Sequence, residues 1–182
     1  APASVKNFAK AHPHSMGACT PDSKTNVATM DADDFRANEK SVVIESDDAV
    51  TIQLVGADGT TTVLKEAFPV LAGEVIDGTV MRAAALDAFL AAQVERARTD
   101  GVLFSVHLKA TMMKVSDPII FGHVVKAFLP DVFAQYGDDL VAAGLSPSNG
   151  LGSILAGLDA LPNGAEIKAA IDAGIAAGPP LA

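Results

Sequence analysis

Asp58-Gly59 stands between two runs of alternating, β-branched character, VTIQLVG (50–56) and TTTVLKEA (60–67). Glycine reaches positive φ without steric cost, so an Asp-Gly pair flanked by such runs is the strongest short-range signal for a β-hairpin. Val42-Val43-Ile44 adds β-character just before it. The stretch from about residue 42 to 68 is therefore predicted to be antiparallel, which already excludes an all-helical chain.

After AGEVIDGTV (72–80) the period changes. Ala84, Leu86, Phe89, Leu90, Val94 and Ala97 recur at helical spacing, with Arg82, Asp87, Glu95 and Arg98 opposite, and Asp100-Gly101 supplies a C-terminal stop. VLFSVHL (102–108) follows as an apolar run of the kind a strand shows when both faces are buried. Ser116 or Asp117 is placed to cap a helix with Pro118 in its first turn, and Ile119 to Tyr136 carry its apolar face. Shorter helices then break at Gly144, Pro147, Asn149-Gly150 and Pro162-Asn163-Gly164, and AEIKAAIDAGIAAG forms a last one. Near the N-terminus residues 4–11 read as a helix ended by His12-Pro13, and 13–40 as an irregular polar segment. Strands alternating with helices after a hairpin predict an α/β fold. The expected arrangement is a mixed β-sheet with an antiparallel hairpin, flanked by helices in three layers. The whole of 1–182 is expected to be one unit, with 153–182 its C-terminal helical part.

Composition narrows the function. The formal charge is −9 and no Lys/Arg stripe or aromatic platform offsets it, which argues against nucleic-acid binding. With no Trp and one Tyr the core must be aliphatic. No run reaches the roughly 18 uninterrupted apolar residues of a membrane span. The single Cys19 allows no intrachain disulfide and no CxxC zinc site, in keeping with a reducing cytoplasm. The chain starts without Met and ends on GIAAGPPLA, and the expectation is a piece of something longer.

Few residues could carry chemistry. His12-Pro13-His14 has no further ligand at metal spacing. Asp31, Asp33 and Asp34 lack the loop and terminal Glu of a calcium hand, and read as a solvated acidic loop. Gly150 and Gly152 follow no strand, and no Ser sits in a nucleophile elbow. Met81, Met112 and Met113 read as core filler. Lys109 is different. It ends the apolar run 102–108, two residues beyond His107, with Lys114 close behind. One reading is a lysine whose stem packs while its ammonium reaches water. The other is a lysine held at a cleft, partly desolvated and able to transfer a proton.

SVKNFAKAHPHSMG, PDSKTNVATMDADDF, GVLFSVHLKATMMKVSDPIIFGH and SPSNGLGSIL together resemble the monomeric-type NADP-dependent isocitrate dehydrogenases. Cys19 stands where that resemblance leads one to expect an aromatic. Chains of that family are several times longer. The resemblance implies that this chain is one isocitrate/isopropylmalate dehydrogenase-like subdomain of the large domain. Its implied reaction is oxidative decarboxylation of isocitrate to 2-oxoglutarate and CO₂, a step of the tricarboxylic acid cycle, using NADP and Mg²⁺ or Mn²⁺. Aligned on HLKATMMK, the family's catalytic and substrate-binding lysine is Lys109. His107 and Lys114 lie near it in sequence.

The same resemblance puts other substrate-gripping residues ahead of residue 1. It puts the catalytic tyrosine, the metal aspartates and the NADP-binding residues beyond 182. Neither Tyr136 nor Asp31, Asp33 and Asp34 match them, so no metal or cofactor residue is expected in this chain. Its implied partners are isocitrate and the remainder of the same polypeptide, with self-association of the isolated piece through the uncovered surface. Two alternatives stay open: a free-standing, non-enzymatic α/β interaction module, and an unrelated enzyme forming a Schiff base through Lys109.

Overall fold

The computed structural model describes residues 2–14, 17–18, 20–107 and 116–181. Helix α1 (Ala3–Ala11) stops where His12-Pro13 requires, and it is exposed along its length. The polar segment after it is irregular except for one helical turn, α2 (Phe35–Asn38), whose first free N–H groups are partly satisfied by Asp34. The Asp34 carboxylate accepts from Ala37 N–H at 2.7 Å.

The hairpin forms as expected. Strand β2 (Asp48–Val55) pairs antiparallel with β3 (Thr61–Val70), and β1 (Lys40–Val43) pairs with β4 (Val75–Gly78). Gly59 turns the chain at φ 80°, and Asp58 ties the loop by accepting from both Thr60 N–H (3.0 Å) and Thr60 Oγ1 (2.8 Å). The Thr60 hydrogen bonds, backbone first, hold the Asp58 carboxyl below its usual range.

Helix α3 (Ala83–Asp100) buries Leu86, Leu90 and Ala97 and half-buries Phe89 and Val94, the face read from the sequence except for Ala84, which is exposed. After Gly101 the chain runs extended from 102 to 107. Here the structure departs from expectation. Among the described residues the segment joins no sheet and pairs only through a parallel bridge from Phe104 to Leu181, with Phe104 N–H donating to Pro180 O at 2.7 Å. Val102, Phe104 and Val106 face inward while Leu103, Ser105 and His107 face out, so one face is buried rather than two. Its other face is open to solvent at Leu103, Ser105 and His107. The expected three layers around one mixed sheet thus become two two-stranded antiparallel sheets beside a helical body. The class, α/β with an antiparallel hairpin flanked by helices, stands.

The helix expected over Ile119–Tyr136 is two helices, α4 (Ser116–Phe128) and α5 (Pro130–Ala142). Pro130 lacks an N–H and its ring excludes the preceding turn, so it ends one helix and opens the next at N1. The later breaks fall where the sequence puts them. A 3-10 turn spans Pro147–Asn149, α6 spans Leu151–Gly157, a second 3-10 turn spans Leu158–Ala160, and α7 spans Gly164–Ala177. The main core lies among α4–α7, centred on Leu140, Ile154, Ile167 and Ile171, each essentially inaccessible. Burial of such side chains contributes about 1.5–3 kcal/mol each. A smaller cluster of Leu86, Leu90 and Val124 joins α3 to α4, and Phe104 packs against both clusters.

Tyr136 is buried in the main core and its hydroxyl donates to Glu166 Oε1 at 2.6 Å, stapling α5 to α7. That hydrogen bond, with burial and the Glu166 charge, raises the phenol above its ordinary value. A raised folded-state value means stability present below the free Tyr pKa, about 10, and lost as pH climbs through the folded value. Urea unfolding of the chain between about pH 9 and 11 should show that decline, and Tyr136→Phe should remove this contribution. Identical slopes in the two proteins would show that the staple does not couple folding to the phenol.

Candidate functional site

The sequence blocks that carry the resemblance are far apart in the chain. In the fold, His107 and the SDPIIFGH helix meet SPSNGLGSIL. The end of the extended run supplies Val106 and His107, the first turns of α4 supply Asp117, Pro118 and Phe121, and the 3-10 turn supplies Ser148, Asn149 and Gly150. Together they line a cleft of about 390 Å³. A neighbouring apolar cavity of about 370 Å³ shares Val106, His107 and Phe121 with it and runs toward Phe128 and Leu129.

The walls are held by specific contacts. Ser105 and His107, two apart on an extended segment, present the same face, and Ser105 Oγ shares a 2.5 Å hydrogen bond with His107 Nε2. The 3-10 turn starts from Ser146, whose hydroxyl accepts from Ser148 N–H at 3.2 Å. It lies directly against α4 because residue 122 is glycine. A Cβ there would stand 2.7 Å from Ser148 Oγ and 3.1 Å from Ser148 N. Next to it, His123 Nδ1 lies 2.6 Å from Asp87 Oδ1 and fastens α4 to α3. Gly122 and His123 are therefore structural to the cleft, and sequence reading passed over both. Their signal, a small and a polar residue on an otherwise apolar helix, becomes legible only once the opposing surfaces are known.

The described lining of the cleft carries one carboxylate, Asp117, and one imidazole, His107. Asp117, in the first turn of α4, places a negative charge where the helix dipole is positive. Lys109, Lys114, Met112 and Met113 all lie outside the described residues, as does Cys19. His12 stacks on Phe8 with ring centroids 4.2 Å apart. Asp33 pairs with Arg82 at 2.8 Å and Asp34 caps α2, so one acid serves an ion pair and the other a helix N-terminus. Among the described residues no three His, Cys, Asp or Glu side chains gather to hold a metal ion. No described helix is long and apolar enough to cross a membrane. A larger hollow of about 840 Å³ lies between α3, α4, α5 and α7, and on its wall Arg98 Nη2 donates to Glu95 Oε1 at 2.6 Å.

With this geometry described, comparison with known proteins decides the family. The family model for monomeric isocitrate dehydrogenase matches residues 1–182. The chain belongs to the monomeric isocitrate dehydrogenase family. It is 65% identical over 182 residues to an isocitrate dehydrogenase [NADP] of Corynebacterium efficiens, and 63% identical to that of Corynebacterium glutamicum. It is 48% identical over 184 aligned positions to the isocitrate dehydrogenase [NADP] of Azotobacter vinelandii. Each alignment covers 100% of this chain and 25% of the relative. The chain therefore spans about a quarter of the length of these relatives.

If the α4–turn contact sets the cleft, Gly122→Ala should lower the urea-unfolding stability of the chain by about 1–3 kcal/mol, the usual cost of overpacking. Ser148→Gly combined with it should restore only part, since the backbone nitrogen of Ser148 remains close. Wild-type stability in Gly122→Ala would mean that the turn yields freely.

Proposed function

We propose that this chain is one part of a longer NADP-dependent isocitrate dehydrogenase and contributes its catalytic lysine, Lys109. The observation that carries the reading is the family match over the full 182 residues, HLKATMMK included. The convergence of His107 and Asp117, which flank 108–115 in sequence, with SPSNG on one cleft supports it.

In this reading isocitrate is oxidised and decarboxylated to 2-oxoglutarate. When bound, Mg²⁺ or Mn²⁺ polarises the substrate oxygens and NADP⁺ accepts the hydride. In this reading both groups are held by the rest of the polypeptide. What falls to this chain is charge and proton transfer. Lys109 meets the substrate carboxylates as an ammonium and assists removal of the hydroxyl proton, directly or by relay. A lysine suits both tasks, since its point charge binds carboxylates and its pKa falls readily on desolvation. His107, braced by Ser105, is the described side chain nearest to Lys109 in sequence on the cleft rim. In this reading residues 1–182 are a single subdomain of that enzyme, which works in the cytoplasm.

Two measurements test this. The purified 182-residue chain should give no isocitrate-dependent NADPH formation; turnover by it alone would overturn the division of labour. In the full-length protein Lys109→Met, which keeps much of the stem without the charge, should lower kcat by about two to four decades. Undiminished turnover would leave the family standing and remove Lys109 from the chemistry.

A further inference from the structure

Residues 40–78 leave the helical body as one continuous arm. Lys40 faces Gly78 and Asp48 faces Val70 in the same register, and Ile44 bridges the two sheets by donating to Glu74 O (2.8 Å) and accepting from Gly73 N–H (2.7 Å). The root is tied down: Asn38 Nδ2 donates to Val80 O at 2.7 Å and Val70 is only 3% exposed. The outer half is not. Among the described residues β2 and β3 pack chiefly on each other.

Both faces of that outer half are apolar and open. Ile52 and Leu54, two apart on β2, share one face at 46% and 56% exposure. Val55 and, through its pairing with Gln53, Val63 share the other at 64% and 43%. From 49 to 64 the only charged side chain is Asp58, at the turn, and Lys65, opposite Ile52, and Glu66 are the charges that follow on β3. A two-stranded ribbon is marginal in water by itself. Solvent on both faces is not a stable resting place for such an arm.

We infer that the arm 40–78 is a docking element whose outer half is covered by the remaining portion of the same polypeptide. The inference rests on the reading that this chain is part of a longer dehydrogenase. Two observations favour that occupant over a second copy. Three quarters of each relative lies outside the matched region, ample surface to receive a ribbon. The family is described as monomeric, so cover is available without a partner subunit.

The test uses the full-length protein carrying a photo-reactive leucine at Leu54, mixed from unlabelled and ¹⁵N-labelled copies. Cross-links should join residue 54 to positions outside 1–182 of the same isotope. Mixed-isotope products would assign the face to a second copy and overturn the inference; so would cross-links confined to the arm, which would mean a solvated ribbon. As a second readout, Ile52→Thr with Leu54→Thr keeps strand propensity and should lower the melting temperature by a few degrees, about what the loss of 1–2 kcal/mol causes; no shift would count against docking. Isocitrate turnover on the same unmodified protein separates the two ideas. Same-copy cross-links without turnover retain the arm and sink the enzymatic reading, and turnover without such cross-links does the reverse.

Discussion

Burial of Leu140, Ile154, Ile167 and Ile171 is the constraint on which the rest of this chain depends. Those side chains come from three helices and meet around one point, and the aliphatic composition leaves no large aromatic platform to do the same work. Close packing makes such a centre intolerant of shifts, so whatever is anchored to it is positioned well. The 3-10 turn Pro147–Asn149 is the connection between α5 and α6, both rooted in that core. α4 is tied to the same centre through Phe128 and to α3 through His123 and Asp87. The cleft between α4 and the turn is thus a consequence of core packing, with Gly122 permitting the last few tenths of an ångström of approach.

The extended run 102–107 shows how one segment can serve two ends. Its inward side chains, Phe104 above all, fill the seam between the two hydrophobic clusters, while its outward side chains carry Ser105 and His107 to the cleft. Alternation along an extended chain makes this division automatic. The arm 40–78 has the opposite character. Its hydrogen bonds are satisfied internally, yet its apolar groups are not, and it gains little from the helical core.

Much of the fold was legible. The hairpin followed from Asp58-Gly59, α1 and α3 from spacing and their stops, and the breaks after α5 from Gly and Pro. Two misjudgements have one cause. The run 102–108 read as a doubly buried strand because continuous apolar character does not reveal whether neighbours exist. Pro130 was passed over because the apolar face continues on either side of it, and pattern outweighed the missing N–H. At the site, the motifs were readable but their contact was not: residues 107, 117 and 148 are brought together by packing of helices, which no local rule encodes.

By itself the sequence determined the local conformations and the family, because turn chemistry, helical spacing and a motif such as HLKATMMK are properties of neighbouring residues. Only the tertiary structure decided that SPSNG closes on the SDPIIFGH helix, that Asp33 and Asp34 serve an ion pair and a cap, and that the hairpin stands away from the core with both faces uncovered. The physical reason is the same in each case. These outcomes depend on which surfaces meet, and that is set by the shape of the aliphatic core and by the chain's search for a covered place for its apolar groups.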